Sequence, residues 1–507
     1  MPVLAESPSQ IPASRNATGL NSRRITSGGP NSPPWLRHVM QSVTLNELVA
    51  ATSGKPVGIS DAERSFDRIE TDSRRVRRGD LFWALRGDRH DGHDFLHEAH
   101  SRGALASIVA AERRSDALGP AVIVNDTLHA LWDFAAWHRR RLESLVIAIT
   151  GSVGKTSTRH MLASTLSIRF EGAESPQNFN NHFGVPLSLC SIESHHEFAA
   201  IELGASAVGE IARLAALAQP EVGVVTAVAP AHLDGFGTID DVCTAKGELI
   251  EAIPESGFAV INGDDERARS LANRARCPVL FAGERAGNDV VARRIEIDND
   301  RLRFHVDRSR FMVHAAGRHF LTSAVLTVAV AREIGMDDAD IAAGLAKFRP
   351  MPGRCRVSTI GPWTVIDDTY NASPQSMHAA CHLLRDWKTT SHRILVVGDM
   401  RELGHESEHY HQQLGIDVAR NGIDRLVALG AQAATVAGSA KQAGMDAGCL
   451  GACHDLDTLA VLLDCWLEPG DVVLVKGSRA MRMETVVESL QQLATAHKKR
   501  IRSRKAA

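Results

Sequence analysis

A glycine-containing loop is the first segment of this chain whose residue types could do chemistry. The run Gly151-Ser152-Val153-Gly154-Lys155-Thr156 follows an apolar stretch of strand length at residues 146–150 and precedes a helical stretch. Glycines let backbone N–H groups turn toward a phosphate, and the helix that follows adds the positive end of its dipole. Lys155 could then reach the terminal phosphate oxygens, and Thr156 could bind Mg²⁺. Only two residues separate the glycines here, so a chance run in a turn is the alternative.

Three more residues could complete a nucleotide site, although each has an ordinary structural interpretation. Glu202 follows an apolar run and could be a second Mg²⁺ ligand at the end of a neighbouring strand, or a strand-end surface carboxylate. His232 follows the predicted strand 222–228 and could face the same cleft. Lys246 lies in a predicted helix rich in apolar residues, where a lysine usually extends to solvent.

The elements that must position these residues follow from the hydrophobic pattern. From residue 145, apolar runs of strand length alternate with helical segments, which indicates βαβ units on a parallel sheet. Before that point the pattern is mixed, with a predicted helix at 45–52. Met351 lies next to Pro352 just after a predicted helix, which favours a hinge. The predicted strands are 80–85, 121–125, 146–150, 199–203, 222–228, 258–262, 364–367, 394–398, 425–429 and 472–476; a helix is predicted at 407–421.

These patterns predict an α/β protein of three domains, as a length of 507 residues favours. Residues 41–142 form a small α/β domain, 143–349 a central parallel-sheet domain that binds phosphate, and 350–495 a Rossmann-like domain. Residues 1–40 are rich in serine, proline and glycine and are predicted to be a disordered extension. Residues 496–507 form a basic tail.

Composition excludes several classes of function. The formal net charge is −3, from 57 Lys and Arg against 60 Asp and Glu, so no global field favours nucleic acid or an anionic membrane. No apolar run approaches the roughly 18 residues that a membrane span needs, and the first 35 residues lack the apolar core of a signal peptide. Cys449 and Cys453 have no second pair, which argues against a zinc site. We therefore expect a cytoplasmic protein with reduced thiols and no membrane insertion.

A series of short motifs, in order from about residue 45 to 490, resembles the Mur ligases. Within that family, 178–186, 367–374 and 398–404 are most similar to the member that couples D-alanyl-D-alanine to UDP-N-acetylmuramoyl-tripeptide. The Asp-Asn-Pro-Arg motif of the preceding, diaminopimelate-adding step is absent, which favours this final step. The matching segments are 71–74 (TDSR), 79–82 (GDLF), 91–95 (DGHDF), 149–156 (ITGSVGKT), 178–181 (NFNN), 184–186 (GVP), 202–204 (ELG), 232–237 (HLDGFG), 245–248 (AKGE), 262–265 (NGDD), 352–354 (PGR), 367–374 (DDTYNASP), 398–404 (GDMRELG) and 475–479 (VKGSR).

The resemblance implies an ATP-dependent ligase that acts through an acyl phosphate, with ATP, two Mg²⁺ ions and a monomeric chain. It implies a uridine-nucleotide substrate on the first domain and assigns roles residue by residue. The implied catalytic residues are Lys155, Glu202, His232, Lys246 and Arg354. The implied ATP-binding residues are Gly151, Ser152, Val153, Gly154, Lys155, Thr156, Ser157, His319, Arg354, Asp368 and Asn371. The implied substrate-binding residues are Ser73, Arg74, Asp91, His93, Asn180, Asn181 and Lys476. The implied metal ligands are Thr156, Glu202, His232 and, as a carbamate, Lys246.

Two departures from the family pattern leave alternatives open. Val153 stands where the family most often has asparagine, and Phe320 and Ser323 replace the two asparagines of a Gly-x-His-Asn-x-x-Asn motif. Another ligase of the superfamily, such as a folylpolyglutamate synthase, would share the ATP site and differ in the first domain. A nucleotide-binding protein without catalysis would hold nucleotide and release no phosphate.

Overall fold

The computed structural model describes residues 40–176, 178–230 and 233–506, with the backbone alone for 233, 497 and 499–506. Apart from Met40, the predicted disordered extension therefore lies outside the described residues. The part of the chain that is described forms three main sheets, each with helices packed against it. The predicted α/β class is correct, and the predicted helix at 45–52 is present as Leu45–Thr52.

The first sheet has five strands in the order β2-β7-β6-β5-β4, and all its neighbours are parallel except β2 and β7. Strand β6 is buried along its whole length and was not predicted from the sequence. The last helix of this region, α3, runs on toward the central sheet. The elements are β1 (Val43–Thr44), α1 (Leu45–Thr52), β2 (Lys55–Val57), β3 (Ser65–Phe66), β4 (Ile69–Glu70), β5 (Leu81–Trp83), α2 (Leu96–Ser101), β6 (Ala106–Ala110), β7 (Ala121–Val124) and α3 (Thr127–Arg139).

The second sheet has nine strands in the order β16-β15-β14-β13-β12-β11-β8-β10-β9, parallel from β9 to β14. Its antiparallel extension β14–β16 was not predicted; a bulge in β14 interrupts the alternation of buried and exposed residues that would indicate a strand. The elements are β8 (Leu145–Thr150), α4 (Lys155–Leu166), β9 (Gly172–Glu174), α5 (Gly184–Cys190), β10 (Phe198–Glu202), α6 (Glu210–Ala218), β11 (Val222–Val225), α7 (Leu233–Phe236), α8 (Ile239–Ala252), β12 (Phe258–Asn262), α9 (Glu266–Ser270), β13 (Val279–Gly283), β14 (Val290–Asp298), β15 (Arg301–Val306), β16 (Ser309–Val313), α10 (Phe320–Glu333) and α11 (Asp338–Lys347).

The third sheet has six strands in the order β17-β18-β22-β19-β20-β21, and only β17 is antiparallel. The parallel strands β18, β19, β20 and β22 match the predicted ones to within one residue at each end, and the parallel strand β21 was not predicted. The elements are β17 (Arg356–Ile360), β18 (Trp363–Asp368), α12 (Pro374–Asp386), β19 (Arg393–Gly398), α13 (Ser407–Arg420), β20 (Arg425–Leu429), α14 (Ala433–Gln442), β21 (Leu450–Cys453), α15 (Leu456–Trp466), β22 (Val472–Lys476) and α16 (Glu484–Ala506).

One apolar core spans the second and third sheets. It includes Ile147 of β8, Phe320 of α10 and Met377 of α12, all almost fully buried. The carboxyl ends of β8 and β10 lie side by side, since Glu202 pairs with Ile149, and Thr150 pairs with Val225 of β11 on the other side. The chain reverses its direction across the sheet at β8, the position where parallel sheets bind ligands. Among the described residues, no helix is both long and apolar enough to cross a bilayer.

Candidate active site

The glycine loop has the conformation that a phosphate cradle requires. Gly151 and Gly154 have φ of 145° and 82°, and Gly154 is the residue before the first turn of α4. The loop is held from below, because the Thr226 hydroxyl donates to Val153 O at 2.5 Å and Ser152 N–H donates to Ala227 O at 2.9 Å. Backbone N–H groups at a helix N-terminus favour an anion. The loop therefore presents a ready site for phosphate.

Lys155, Thr156 and Glu202 meet beside this loop. Lys155 Nζ donates to Gly151 O at 2.6 Å, and the Thr156 hydroxyl donates to Glu202 Oε2 at 2.7 Å. Glu202 is 2% exposed, so it is not the surface carboxylate that its sequence position alone favoured. A hydroxyl and a carboxylate are the hard oxygen ligands that Mg²⁺ prefers. The chemistry of this donor pair fits a magnesium ion.

Both burial and neighbouring charges shift the pKa values of Glu202 and Lys155. Burial tends to raise the pKa of Glu202, but Arg159, Lys155 and Arg354 together hold that pKa below its usual value. Burial also lowers the pKa of Lys155, which Glu202 opposes and Arg354 reinforces. The carboxylate form of Glu202 is thereby maintained inside the protein.

Lys246 is buried in the middle of α8, contrary to the ordinary expectation that a lysine there extends to solvent. It is 3% exposed, and its ammonium lies 5.4 Å from the centre of the Phe236 ring. Burial lowers the pKa of Lys246 to about 7, and the nearby charge of Lys155 adds to that shift. A substantial fraction of neutral amine is therefore present near neutral pH. The predicted site residue His232 lies outside the described residues.

The third sheet contributes a separate group of polar residues to the same region. Lys476 Nζ donates to Asp368 Oδ2 at 2.6 Å and to the carbonyl of Asn371 at 2.9 Å. Arg354, two residues after Pro352, lies over the ring of Tyr370 at 4.0 Å. These contacts place the predicted Lys476, Asp368 and Asn371 together at the carboxyl ends of β18 and β22.

A single large cavity of about 1820 Å³ joins these groups. Its walls include the glycine loop, α12 of the third sheet, and His129 and Trp132 of α3 from the first region of the chain. Neither α3 nor these two residues were predicted from the sequence. The predicted site residues that line the cavity are Ser152, Val153, Gly154, Lys155, Thr156, Ser157, Asn180, Asn181, Glu202, His319, Arg354, Asp368, Asn371 and Lys476.

The four substrate-binding residues predicted on the first domain do not line this cavity. Ser73 donates to Glu98 at 2.6 Å, and Arg74 pairs with Asp72. His93 has both ring nitrogens engaged, since its Nδ1 lies 2.6 Å from Asp91 Oδ1 and its Nε2 accepts the Ala110 N–H at 3.0 Å. The structure gives these residues local roles in holding the loops of the first sheet. Their assignment to substrate stays a prediction.

Two of the residues predicted to bind substrate form hydrogen bonds within the protein. Asn180 donates to Glu202 Oε1 at 2.8 Å, and Asn181 accepts the Gly184 N–H at 2.9 Å at the start of α5. In the second departure from the family pattern, Ser323 accepts the Thr158 hydroxyl at 2.9 Å and Phe320 is buried near Phe348. Both replacements line the cavity.

His319 lies at the start of α10 beside the third-sheet group. The residue is exposed at the cavity wall, yet desolvation by the surrounding protein lowers its pKa to about 4, and the positive charge of Lys476 contributes while Asp368 opposes the shift. The ring is therefore neutral at physiological pH. Arg159 is a buried partner of Glu202 that sequence reasoning missed; the only signal was an arginine one helical turn after Lys155.

Comparisons with known proteins agree with this arrangement. Family models match along the chain as "Mur ligase family, catalytic domain" at 65–136, "Mur ligase middle domain" at 149–331 and "Mur ligase, glutamate ligase domain" at 353–479. The UDP-N-acetylmuramoyl-tripeptide--D-alanyl-D-alanine ligase of Escherichia coli is 36% identical, over 90% of this chain and 100% of its own length.

Solved structures of MurF proteins are also similar to this chain. MurF from Acinetobacter baumannii is similar with a TM-score of 0.80 and 33% identity, over 89% of this chain and 99% of that one. MurF ligase from Thermotoga maritima, solved in complex with ADP, is similar with a TM-score of 0.70 and 28% identity, over 85% of this chain and 98% of that one.

Proposed function

Because the chain belongs to the Mur ligase family, we propose that it joins D-alanyl-D-alanine to UDP-N-acetylmuramoyl-tripeptide with hydrolysis of ATP. The product is the UDP-muramoyl pentapeptide of peptidoglycan synthesis. The observation that carries the proposal is the shared cavity. It is lined by the glycine loop of the second sheet and by Asp368, Asn371 and Lys476 of the third. A ligase needs this arrangement, since it must bring a nucleotide, an acid and an amine to one point.

The reaction has two steps. A carboxylate oxygen of the tripeptide attacks the γ-phosphorus of ATP, the bond to ADP breaks, and an acyl phosphate forms. The dipeptide amine then attacks the acyl carbon, phosphate leaves, and the nitrogen loses a proton. The Lys155 ammonium lies beside the loop and stabilises negative charge on the phosphoryl oxygens, and closure of the cavity would shield the acyl phosphate from water.

Magnesium would supply further neutralisation of phosphate charge. Thr156 and Glu202 would hold one ion, because their oxygens already lie together. For a second ion we retain the sequence-based prediction of His232 and a carbamate on Lys246. The buried, partly neutral amine of Lys246 is the form that adds carbon dioxide, with release of a proton.

The proposal also assigns each substrate to a region of the chain. The uridine nucleotide would bind on the first domain, 41–142, and the tripeptide would extend along α3 toward the glycine loop, past His129 and Trp132. ATP would bind in the central domain, 143–349, and the dipeptide would approach from 350–495. We propose that the enzyme acts as a monomer in the cytoplasm.

Phosphate release by the purified protein tests the function. The assay contains ATP, Mg²⁺ and UDP-N-acetylmuramoyl-tripeptide, with or without D-alanyl-D-alanine, and mass spectrometry identifies the product. We expect pentapeptide only with the dipeptide, and a loss of at least about a hundredfold in Lys155→Met, because a charged contact to the transition state is removed.

Lys441→Met is the matched control, because Lys441 is exposed in the last turn of α14 and does not line the cavity. Its turnover should equal that of the wild type. Nucleotide binding without product from any acceptor would contradict the proposal and favour a binding protein that has lost catalysis.

A further inference from the structure

Arg159 carries a buried positive charge at the base of the site. It lies on α4 one helical turn after Lys155, is 1% exposed, and does not line the cavity. A guanidinium is costly to bury unless its N–H groups find acceptors and its charge finds a partner. The contacts of Arg159 therefore indicate why an arginine is kept there.

These contacts join four parts of the fold. Arg159 Nε donates to Glu174 Oε2 at 3.1 Å at the end of β9, and Nη1 donates to the carbonyl of Pro176 at 3.3 Å. Nη1 also forms an ion pair with Glu202 Oε2 at 3.5 Å, at the end of β10. Nη2 donates to Met351 Sδ at 3.6 Å, in the segment that leads to the third sheet. One side chain thus fixes the surroundings of Glu202.

The Glu202 carboxylate is held from several directions. The Thr156 hydroxyl and Arg159 contact Oε2, and the Asn180 amide donates to Oε1. The second carboxylate of the cluster, Glu174, is shared between Arg159 and His160, whose Nδ1 lies 2.9 Å from Glu174 Oε1. Thr156 would itself bind the metal ion, and the Asn180 amide carries no charge. Arg159 is the charged group that keeps the carboxylate oriented.

We infer that Arg159 is a positioning residue of the divalent-cation site. Its guanidinium holds Glu202 in the orientation that binds the ion, without contact with nucleotide or metal. The inference rests on the proposed function in that Glu202 is taken as a metal ligand. Groups that orient metal ligands typically contribute 10- to 100-fold to metal affinity. A simple Coulomb effect has the opposite sign, because loss of a nearby cation would tighten metal binding.

Mn²⁺ binding to the full chain in the presence of ADP tests the inference. Electron paramagnetic resonance measures free Mn²⁺, so no turnover is required. We expect Arg159→Met to bind Mn²⁺ about tenfold more weakly or worse. Arg159→Lys should be intermediate, because one ammonium cannot make the several directed contacts of a guanidinium. ADP binding without metal should not change, and in turnover the half-saturating Mg²⁺ concentration should rise while KM for the dipeptide is constant.

Arg139→Met is the matched control, because Arg139 is also buried but donates to the carbonyls of Ala218 and Gln219 away from the cavity. It should leave Mn²⁺ affinity unchanged. If Arg159→Met does not fold, Glu174→Gln weakens the anchor of the guanidinium and should shift Mn²⁺ affinity in the same direction.

Wild-type Mn²⁺ affinity in the folded Arg159 and Glu174 variants, with loss in Glu202→Gln, would overturn the inference alone. Wild-type affinity in Glu202→Gln would overturn the assigned metal ligand and the inference with it. A wild-type protein that makes no pentapeptide, but whose Mn²⁺ affinity falls in Arg159→Met, would contradict the proposed function and leave the inference standing.

Discussion

At the scale of residues, opposite charges are buried together beside the glycine loop. Glu202 and Glu174 are balanced by Arg159 and Lys155 within one cluster that solvent hardly reaches. The sequence motifs around Lys155 and Glu202 predicted their roles in the site. The partner Arg159 was not, because the sequence does not say which face of α4 packs against β9 and β10.

His319, which is exposed at the wall of the cavity, tests how the charge of this residue affects stability as the pH changes. Its folded pKa of about 4 lies below the ordinary 6.5, so the unfolded chain binds the extra proton between these values. Its contribution to stability is complete above about pH 6.5 and falls as the pH drops toward 4. Because His319 is exposed to solvent, which screens the effect, we expect a loss of no more than about 1 kcal/mol by about pH 5 from this group alone. Urea unfolding at a series of pH values measures it.

In His319→Gln, the free energy of unfolding should fall less between about pH 6.5 and pH 5, by the amount expected for His319. His405→Gln is the control, because the His405 side chain is 91% exposed. An unchanged pH profile in His319→Gln would contradict the prediction.

At the scale of elements, the β8–loop–α4 unit depends on the strand next to it. The Thr226 hydroxyl after β11 supports the loop from below, at Val153 O and at Thr150 O. The loop motif was recognised from its sequence and from its place between a strand and a helix. Its support from residue 226 was not recognised, because a threonine after a strand has no special signal.

Gly151→Ala tests this packing. A Cβ at Gly151 would clash with Thr226 Oγ1, and φ of 145° is a region that alanine avoids. We expect ADP affinity, measured by calorimetry, to fall below detection while the chain stays folded. Gly335→Ala is matched for backbone strain, since Gly335 has φ of 95° and open space around it. It should cost about 1 kcal/mol of stability and leave ADP affinity intact.

At the scale of the molecule, the cavity lies between parts of the chain that one short segment connects. Met351, Pro352 and Gly353 lead from the second sheet to the third, and Gly353 has φ of 75°. The acyl phosphate must be shielded from water until the amine arrives. We therefore expect the third domain to close over bound substrates.

Small-angle X-ray scattering measures this closure. Addition of a non-hydrolysable ATP analogue with UDP-N-acetylmuramoyl-tripeptide should lower the radius of gyration toward the roughly 23 Å of a compact chain of this length. Gly353→Ala should reduce the change, because its Cβ would come within 3.1 Å of Tyr370. Gly335→Ala should close as the wild type does. An equal radius with and without ligands would contradict closure.

The sequence by itself determined the α/β class, the phosphate loop and most parallel strands. Continuous apolar runs such as β12 (Phe258–Asn262) and β22 (Val472–Lys476) are buried on both faces, so their pattern is local and unambiguous. The half-exposed β14 to β16 carry a weaker pattern and were missed. The tertiary structure alone decided that Lys246 is buried, that Arg159 holds Glu202, and that Ser73 and His93 turn inward to their own loops. Burial and pairing depend on residues distant in the chain, and no single segment encodes them.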